Sequence, residues 1–373
     1  MQKEILIVTL LSNFNYGNRL QAIAMNEIVS NMGYKPVFLR YKLSKDRLSI
    51  KKLTKRLLGL LGVQKYKESS FYCKSIRERI IRKDVNCQLT YTNEQILDFL
   101  NLEKIDTRKY SAVIAGSDQI WHRWTNHENE LNYFYLSFAP QNKRIAFAAS
   151  FGFDYFPKED VLRHKEGLNG IEFISCREQI GCQLIKKLTG RETKCVLDPT
   201  LCLAQDYWQE LVKKPRVDIP REYALLFFLG KKEKWEKEIL DFSKNNGLHI
   251  IDMQSLQSTQ MWKMTPGNFL WLIKNASVVL TDSFHCVAFS IIFHVQFIVF
   301  HRIGLGFENM FDRISTLLEV TRLEKSEYKS GKLVFPNNNY YEADRVLAQY
   351  RAQSIEWLQN SICKVISDAN ESH

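Results

Sequence analysis

The feature that most constrains this chain is a regular alternation of short apolar runs with segments of helical period. The runs ILIVTLL (5–11), PVFLRY (36–41), SAVIAG (111–116), RIAFAAS (144–150), EFIS (172–175) and CVLD (195–198) come first. A second series comes after them, with YALLFFL (223–229), LHIIDM (248–253), SVVLT (277–281) and QFIVF (296–300). Such runs read as strands covered on both faces, as in a parallel sheet. Between the first two, Leu20, Ile23, Ala24, Ile28 and Met32 recur on one side of a helix, and Gly33 is a natural C-terminal cap. Strand and helix alternating in both halves predict an α/β fold of two doubly wound domains.

At 373 residues the chain exceeds the size of a typical single core. The stretch near 205–221, charged and proline-bearing, divides a first domain (1–210) from a second (211–338). From Tyr341 to Ala369, residues Val346, Leu347, Tyr350, Ile355, Leu358, Ile362 and Val365 keep near-helical spacing. Residues 339–373 are therefore expected to form a closing helix that crosses back onto the first domain. No internal repeat, low-complexity tract, GxGxxG or Walker A sequence occurs, which counts against dinucleotides and ATP.

Charge enters the argument through its placement. Between Lys42 and Lys83 there are fourteen Lys/Arg against three Asp/Glu, a surplus equal to the net charge of +11. There Ile50, Leu53, Leu57, Leu60 and Leu61 fall at helical spacing, with Lys51, Lys52, Lys55 and Arg56 turned away. Two readings stay open: a basic amphipathic helix resting on an anionic membrane surface, or a solvated helix packing its leucines on the domain. Nucleic acid is not expected, since no aromatic-interleaved or helix-turn-helix pattern accompanies the charge. No run reaches the roughly 18 apolar residues of a membrane span, and the start lacks a signal-peptide layout. Eight scattered cysteines without metal spacing read as reduced packing thiols; no metal site is expected. The expected place is the cytoplasm, with the inner face of the plasma membrane as an extension if the basic helix docks there.

In open parallel sheets, ligands sit beyond the carboxyl ends of strands. After the first run comes a polar loop carrying Asn15, Tyr16, Gly17, Asn18, Arg19 and Gln21. Gly116, Ser117, Asp118 and Gln119 end the SAVIA run, and Ser150, Phe151 and Gly152 end RIAFAA. In the second half the equivalent place is Asp282, Ser283, Phe284 and His285. Plain structural readings stand beside these: Asp282 and Ser283 as helix N-caps, Asp118 capping a following helix, SFG as a turn, and His285 as a satisfied histidine. His285 in a first helical turn at a strand end nonetheless lies beside unpaired N–H groups suited to an anion, with an imidazole able to move protons. Arg177 ends another strand and is placed to form a bidentate pair with a carboxylate or phosphate; pairing with Glu178 is the plain alternative. Arg302 is a weaker candidate of the same kind, and His294 falls in an apolar helical run.

The motifs NYGNRLQ, GSDQIW, RIAFAASFG, ISCRE, VLDPTL, PGNFLWLIKNASVVLTDSFHC and FSIIF, in that order, resemble the polysaccharide pyruvyl transferase family over about residues 5–323. The resemblance implies two Rossmann-like domains facing a cleft, as in GT-B glycosyltransferases. It implies transfer of the enolpyruvyl part of phosphoenolpyruvate, with no further cofactor, to two sugar hydroxyls of a lipid-linked or nucleotide-linked glycan precursor. The product is a pyruvate ketal in a capsule, exopolysaccharide or cell-wall polymer. It further implies that His285 is the catalytic acid/base and that Arg177 binds the donor; Ser283, Phe284 and Arg302 join them as donor-binding candidates from their strand-end positions. Cys286 stands where the family usually has glycine, and Cys176 where a small aliphatic residue is usual. Two rivals remain: a nucleotide-sugar glycosyltransferase on the same fold, with Asp252 on the ribose, and a non-catalytic scaffold docked at a membrane.

Overall fold

The computed structural model describes residues 2–11, 15–42, 70–85, 88–125, 127–304, 311–331 and 333–371. Its first sheet comprises β1 (Glu4–Val8), β2 (Lys35–Lys42), β3 (Tyr91–Leu97), β4 (Tyr110–Ala115), β5 (Arg144–Ala149), β6 (Phe173–Cys176) and β7 (Lys194–Cys195). The order is β3-β2-β1-β4-β5-β6-β7 with every pair parallel. The second sheet holds β8 (Tyr223–Phe227), β9 (His249–Asp252), β10 (Val278–Thr281) and β11 (Phe297–Val299), ordered β11-β10-β8-β9 and again parallel. The fold is thus two Rossmann-like α/β sheets. Along β1, Ile5 and Ile7 enter one apolar cluster and Leu6 and Val8 another, all without exposed surface. Burial on both faces is why these strands read as unbroken apolar runs.

The helices that carry or brace the site are α1 (Tyr16–Asn31), α2 (Ser70–Val85), α3 (Gln179–Thr189), α4 (Pro199–Cys202), α5 (Pro266–Lys274), α6 (Phe284–Ile292), α7 (Asp312–Thr321) and α8 (Tyr340–Glu371). Gly33 ends α1 at φ +85°, a left-handed turn that costs glycine little. The closing helix α8 lies against the first sheet: Trp357 stacks on Phe147 with centroids 6.1 Å apart, and Leu197 N donates to Ser354 Oγ at 3.0 Å. Ile7, Phe147, Val279, Phe289, Leu347 and Ile362 all belong to one buried cluster. That cluster runs from the first sheet through α8 into the second.

Two further ties join the halves. Tyr16 opens α1, yet its hydroxyl donates to the Met264 carbonyl at 2.9 Å and its ring stacks on Phe269 of α5 at 4.6 Å. Arg77 of α2 is buried over Trp262 (4.0 Å to the centroid) and donates to the Met253 carbonyl at 2.5 Å. This end of the basic stretch is therefore packed, while Ile50, Leu53, Leu57, Leu60, Leu61, Lys51, Lys52, Lys55 and Arg56 lie outside the described residues. His294 is not inside a helix, contrary to the sequence reading. It follows α6 at φ +57°, and its Nε2 meets Asp344 Oδ1 of α8 at 3.0 Å. Among the described residues, no helix is long and apolar enough to cross a membrane.

Because the Tyr16 hydroxyl is buried, Tyr16→Phe leaves the Met264 carbonyl unsatisfied, and a loss of about 1–2 kcal/mol is expected. The urea midpoint should fall with the slope unchanged; an unmoved midpoint would show that this bond does not hold the halves together.

Candidate active site

Arg177 follows β6 directly, and its side chain has no exposed surface. Its Nη1 donates to Asp198 Oδ2 at 2.7 Å and its Nη2 to Asp118 Oδ1 at 2.8 Å. The guanidinium also lies 4.8 Å from the centroid of the Phe284 ring, a cation–π contact from the second half. Both terminal nitrogens are thus engaged by protein carboxylates. In this structure the partners of Arg177 are Asp118 and Asp198, with Glu178 Oε2, the plain alternative of the sequence reading, at 3.8 Å from Nε.

Each carboxylate is delivered by local backbone. At Gly116 (φ +119°) a Cβ would sit 2.1 Å from the Phe147 carbonyl oxygen, so only glycine lets the chain pass β5 there. Asp118 follows at φ +80° and bridges to Ala149. No helix begins at Asp118, so the capping alternative is corrected; its backbone carbonyl accepts from Ser150 N at 3.0 Å. Asp118 further accepts from the Asn18 amide of α1. Asp198 is the N-cap of α4: its Oδ1 accepts from Thr200 N (3.0 Å) and Thr200 Oγ1 (2.7 Å). Ser117 Oγ lies 3.1 Å from Asp198 Oδ2.

His285, in the first turn of α6, closes the constellation. Its Nε2 is 3.9 Å from Asp198 Oδ2 and has no hydrogen-bond partner among the described residues. The backbone of α1 is its wall. A Cβ at Gly17 would fall 2.1 Å from the imidazole Nδ1, so any larger residue there displaces the ring. Burial lowers the His285 pKa below the ordinary 6.5, partly opposed by Asp198 and Asp118. The imidazole is therefore neutral near neutral pH. Burial works against ionising Asp118, but Arg177, His285 and Arg313 outweigh it and hold that carboxyl at about 2. Glu178 is pushed up to about 7 by burial, against the pull of Arg177.

The remaining expected residues divide between scaffold and pocket. Asn15 caps α1, accepting from Gly17 N at 2.9 Å. Arg19 donates to the Tyr91 hydroxyl of β3, and Gln21 to Thr9 Oγ1. Asp282 ties strand ends together, accepting from Leu229 N (2.7 Å) and Gly230 N (2.8 Å), with Arg302 Nε at 3.3 Å. Arg302 is thus engaged by Asp282. Ser283 occupies the N-cap position of α6 without a capping side-chain bond. Phe151 N donates to Glu178 Oε1 at 3.3 Å, and its ring packs on Trp121. Ser150 and Gly152 line a small pocket with Phe153, Glu178, Ile180, Asp312 and Arg313. Cys176 and Cys286 are buried thiols whose pKa values burial raises, as packing residues show. Sequence reasoning missed Asp198 and Arg313. Asp198 ends the CVLD run before a proline, the same strand-end signal that singled out Asp282; Arg313 has no comparable signal.

The family sequence model described as polysaccharide pyruvyl transferase matches residues 15–302, which carry every one of these groups except Thr9, Asp312 and Arg313. The chain belongs to the polysaccharide pyruvyl transferase family. It is a transferase of polysaccharide biosynthesis, and the matched segment includes both Arg177 and His285. Among solved structures it is similar to UDP-GlcNAc 2-epimerase from Methanocaldococcus jannaschii at 12% identity, covering 94% of this chain and 99% of that one, with a TM-score of 0.44. MurG from Acinetobacter baumannii matches at 10% identity, covering 98% and 95%, with a TM-score of 0.43. The epimerase from Neisseria meningitidis matches at 9%, covering 98% and 94%, with a TM-score of 0.45. These distant likenesses carry nothing about the chemistry. No curated protein matches the chain significantly.

Removing Arg177 leaves Asp118 and Asp198 buried without their counter-charge, a loss usually worth about 3–5 kcal/mol. Arg177→Met is expected to lower the unfolding free energy by that order in urea titrations at neutral pH. A loss under about 1 kcal/mol would contradict the assignment of Arg177 as the centre of the cluster.

Proposed function

We propose that this chain transfers the enolpyruvyl group of phosphoenolpyruvate to two hydroxyls of a glycan, forming a pyruvate ketal and releasing phosphate. The observation that carries this reading, in a member of the pyruvyl transferase family, is the unpartnered, buried Nε2 of His285 beside Asp198. A neutral imidazole takes the proton of the first sugar hydroxyl, and Asp198 stabilises the imidazolium that results. The same proton then passes to C3 of the donor, turning its methylene into a methyl group, while the hydroxyl oxygen bonds to C2. The second hydroxyl oxygen bonds to C2 as the C2–O bond to phosphate breaks, and its proton leaves with the phosphate. Atoms and charges balance without a cofactor. Arg177 acts in this scheme by holding Asp198 ionised and in place.

The acceptor is a lipid-linked or nucleotide-linked precursor of a surface polysaccharide, met at the cytoplasmic face of the membrane; the basic surplus of residues 42–83 supports that location. Nothing favours the nucleotide-sugar rival. The Asp252 carboxylate it would use for ribose is paired with Lys232 and accepts from Gln254 N at 2.9 Å.

Incubating the protein with phosphoenolpyruvate and a glycan precursor should release phosphate and add a ketal to the sugar. His285→Ala should lower turnover at least about a hundredfold with an unchanged melting temperature; activity within a few-fold of wild type would remove His285 from the chemistry. Because burial depresses the imidazole and Asp198 raises it again, the acid limb of kcat/KM should lie below pH 6.5. In the residual activity of Asp198→Asn it should move lower still, and a shift to higher pH would refute the pairing. Charge reversal at Lys51, Lys52, Lys55 and Arg56 should weaken co-sedimentation with anionic vesicles, and unchanged binding would retire the membrane contact.

A further inference from the structure

Arg313 stands in the first turn of α7 and is only 7% exposed. Among the described residues it has neither ion pair nor hydrogen bond, and its buried Nε lacks a partner. The other arginines nearby are engaged: Arg177 by Asp118 and Asp198, Arg302 by Asp282. Arg313 also lies on the opposite side of the site's charge balance. Burial first, then Arg177 and Arg302, push it down to about 9, with Asp118 and Glu178 opposing only in part. A buried cation without a counter-charge is costly, and proteins normally pair or neutralise it. Here the missing charge is not supplied by the described part of the chain.

The surroundings of the guanidinium point to a ligand. It lines a small pocket with Ser150, Gly152 and Glu178. Of its lining residues, Ser150 Oγ and Glu178 Oε2 are buried without hydrogen-bond partners; Gln119 Nε2, next to Gly152 but not in the lining, is likewise unpartnered. The same arginine also lines a second small cavity together with Arg177, Asp198 and Phe284.

We propose that Arg313 is the receptor for an oxyanion of the donor, its phosphate or its carboxylate, and that Arg177 is a positioning residue that does not touch the ligand. The assignment rests on phosphoenolpyruvate being the donor. It lies outside the segment matched by the family, which ends at residue 302. A guanidinium offers such an oxyanion two parallel N–H donors, and Ser150 and a protonated Glu178, which line the same pocket, can add hydroxyl donors.

Calorimetric titration of phosphoenolpyruvate, and separately of inorganic phosphate, into wild type, Arg313→Met and Arg313→Lys tests this. Arg313→Met is expected to weaken phosphoenolpyruvate at least tenfold, and Arg313→Lys to recover part of the loss. Without ligand, Arg313→Met should melt at the same or a higher temperature than wild type, because an uncompensated buried cation has gone. If it melts lower or does not fold, Arg313 is structural and the inference is overturned. Wild type and Arg313→Met binding phosphoenolpyruvate equally well overturns it too, with the donor reading intact. Phosphate bound by wild type and lost in Arg313→Met, with no binding of phosphoenolpyruvate, keeps the anion site and sinks the donor reading. Binding of neither by wild type sinks both.

Discussion

Arg177 is held away from water between two carboxylates that come from distant parts of the chain, and the site is organised around that arrangement. Asp118 arrives on the turn after β4, Asp198 at the start of α4, and Arg177 at the end of β6. Their mutual attraction in a low-dielectric interior offsets the cost of burying three charges only because each is also hydrogen-bonded. Asp118 accepts from the amide of Asn18, and Asp198 from both Thr200 donors. From this fixed cluster the second half takes its bearings. Phe284 lies over the guanidinium and His285 faces Asp198.

The charges do not cancel evenly. Arg177 is matched and more than matched by its carboxylates, whereas Arg313 is left with excess positive charge and Glu178 with an excess cost of ionisation. A core selected for stability alone would pair these two groups or replace them. Functional sites are where such local imbalance persists, because the ligand completes it. The same reasoning separates Arg313 from Arg302, whose charge is balanced by Asp282 within its own domain.

Much of the fold was legible because strands buried on both faces must be apolar throughout, and ten of the eleven could be found that way. The exception, β3, reads YTNEQIL and sits at the sheet edge, where one side needs no apolar partner. The carboxyl-end rule led to Asp118, Arg177 and His285, since all three follow strands. It did not find the carboxylate partners of Arg177, because they lie 59 and 21 residues away, and pairing across such distances leaves no local mark. Asp198 also ends a strand run, so the same rule covers it, although the sequence reading did not single it out; in the structure it is a helix N-cap as well. Arg313 was invisible for a different reason. An arginine in the first turn of an amphipathic helix normally faces water, and only tertiary packing shows that this one does not.

The apolar cluster that passes from β1 through α8 to α6 has a mechanical consequence. Swinging the halves apart would expose that shared core at roughly 25 cal/mol for each Å² uncovered, with the bonds from Tyr16 and Arg77 broken as well. Wide hinge motion of the sort that lets many two-lobed proteins clamp on their substrates is therefore disfavoured. Gly17 and the imidazole already touch before any substrate arrives, so the geometry for proton transfer is fixed when the polypeptide folds, and ligands enter a vise that is set in advance.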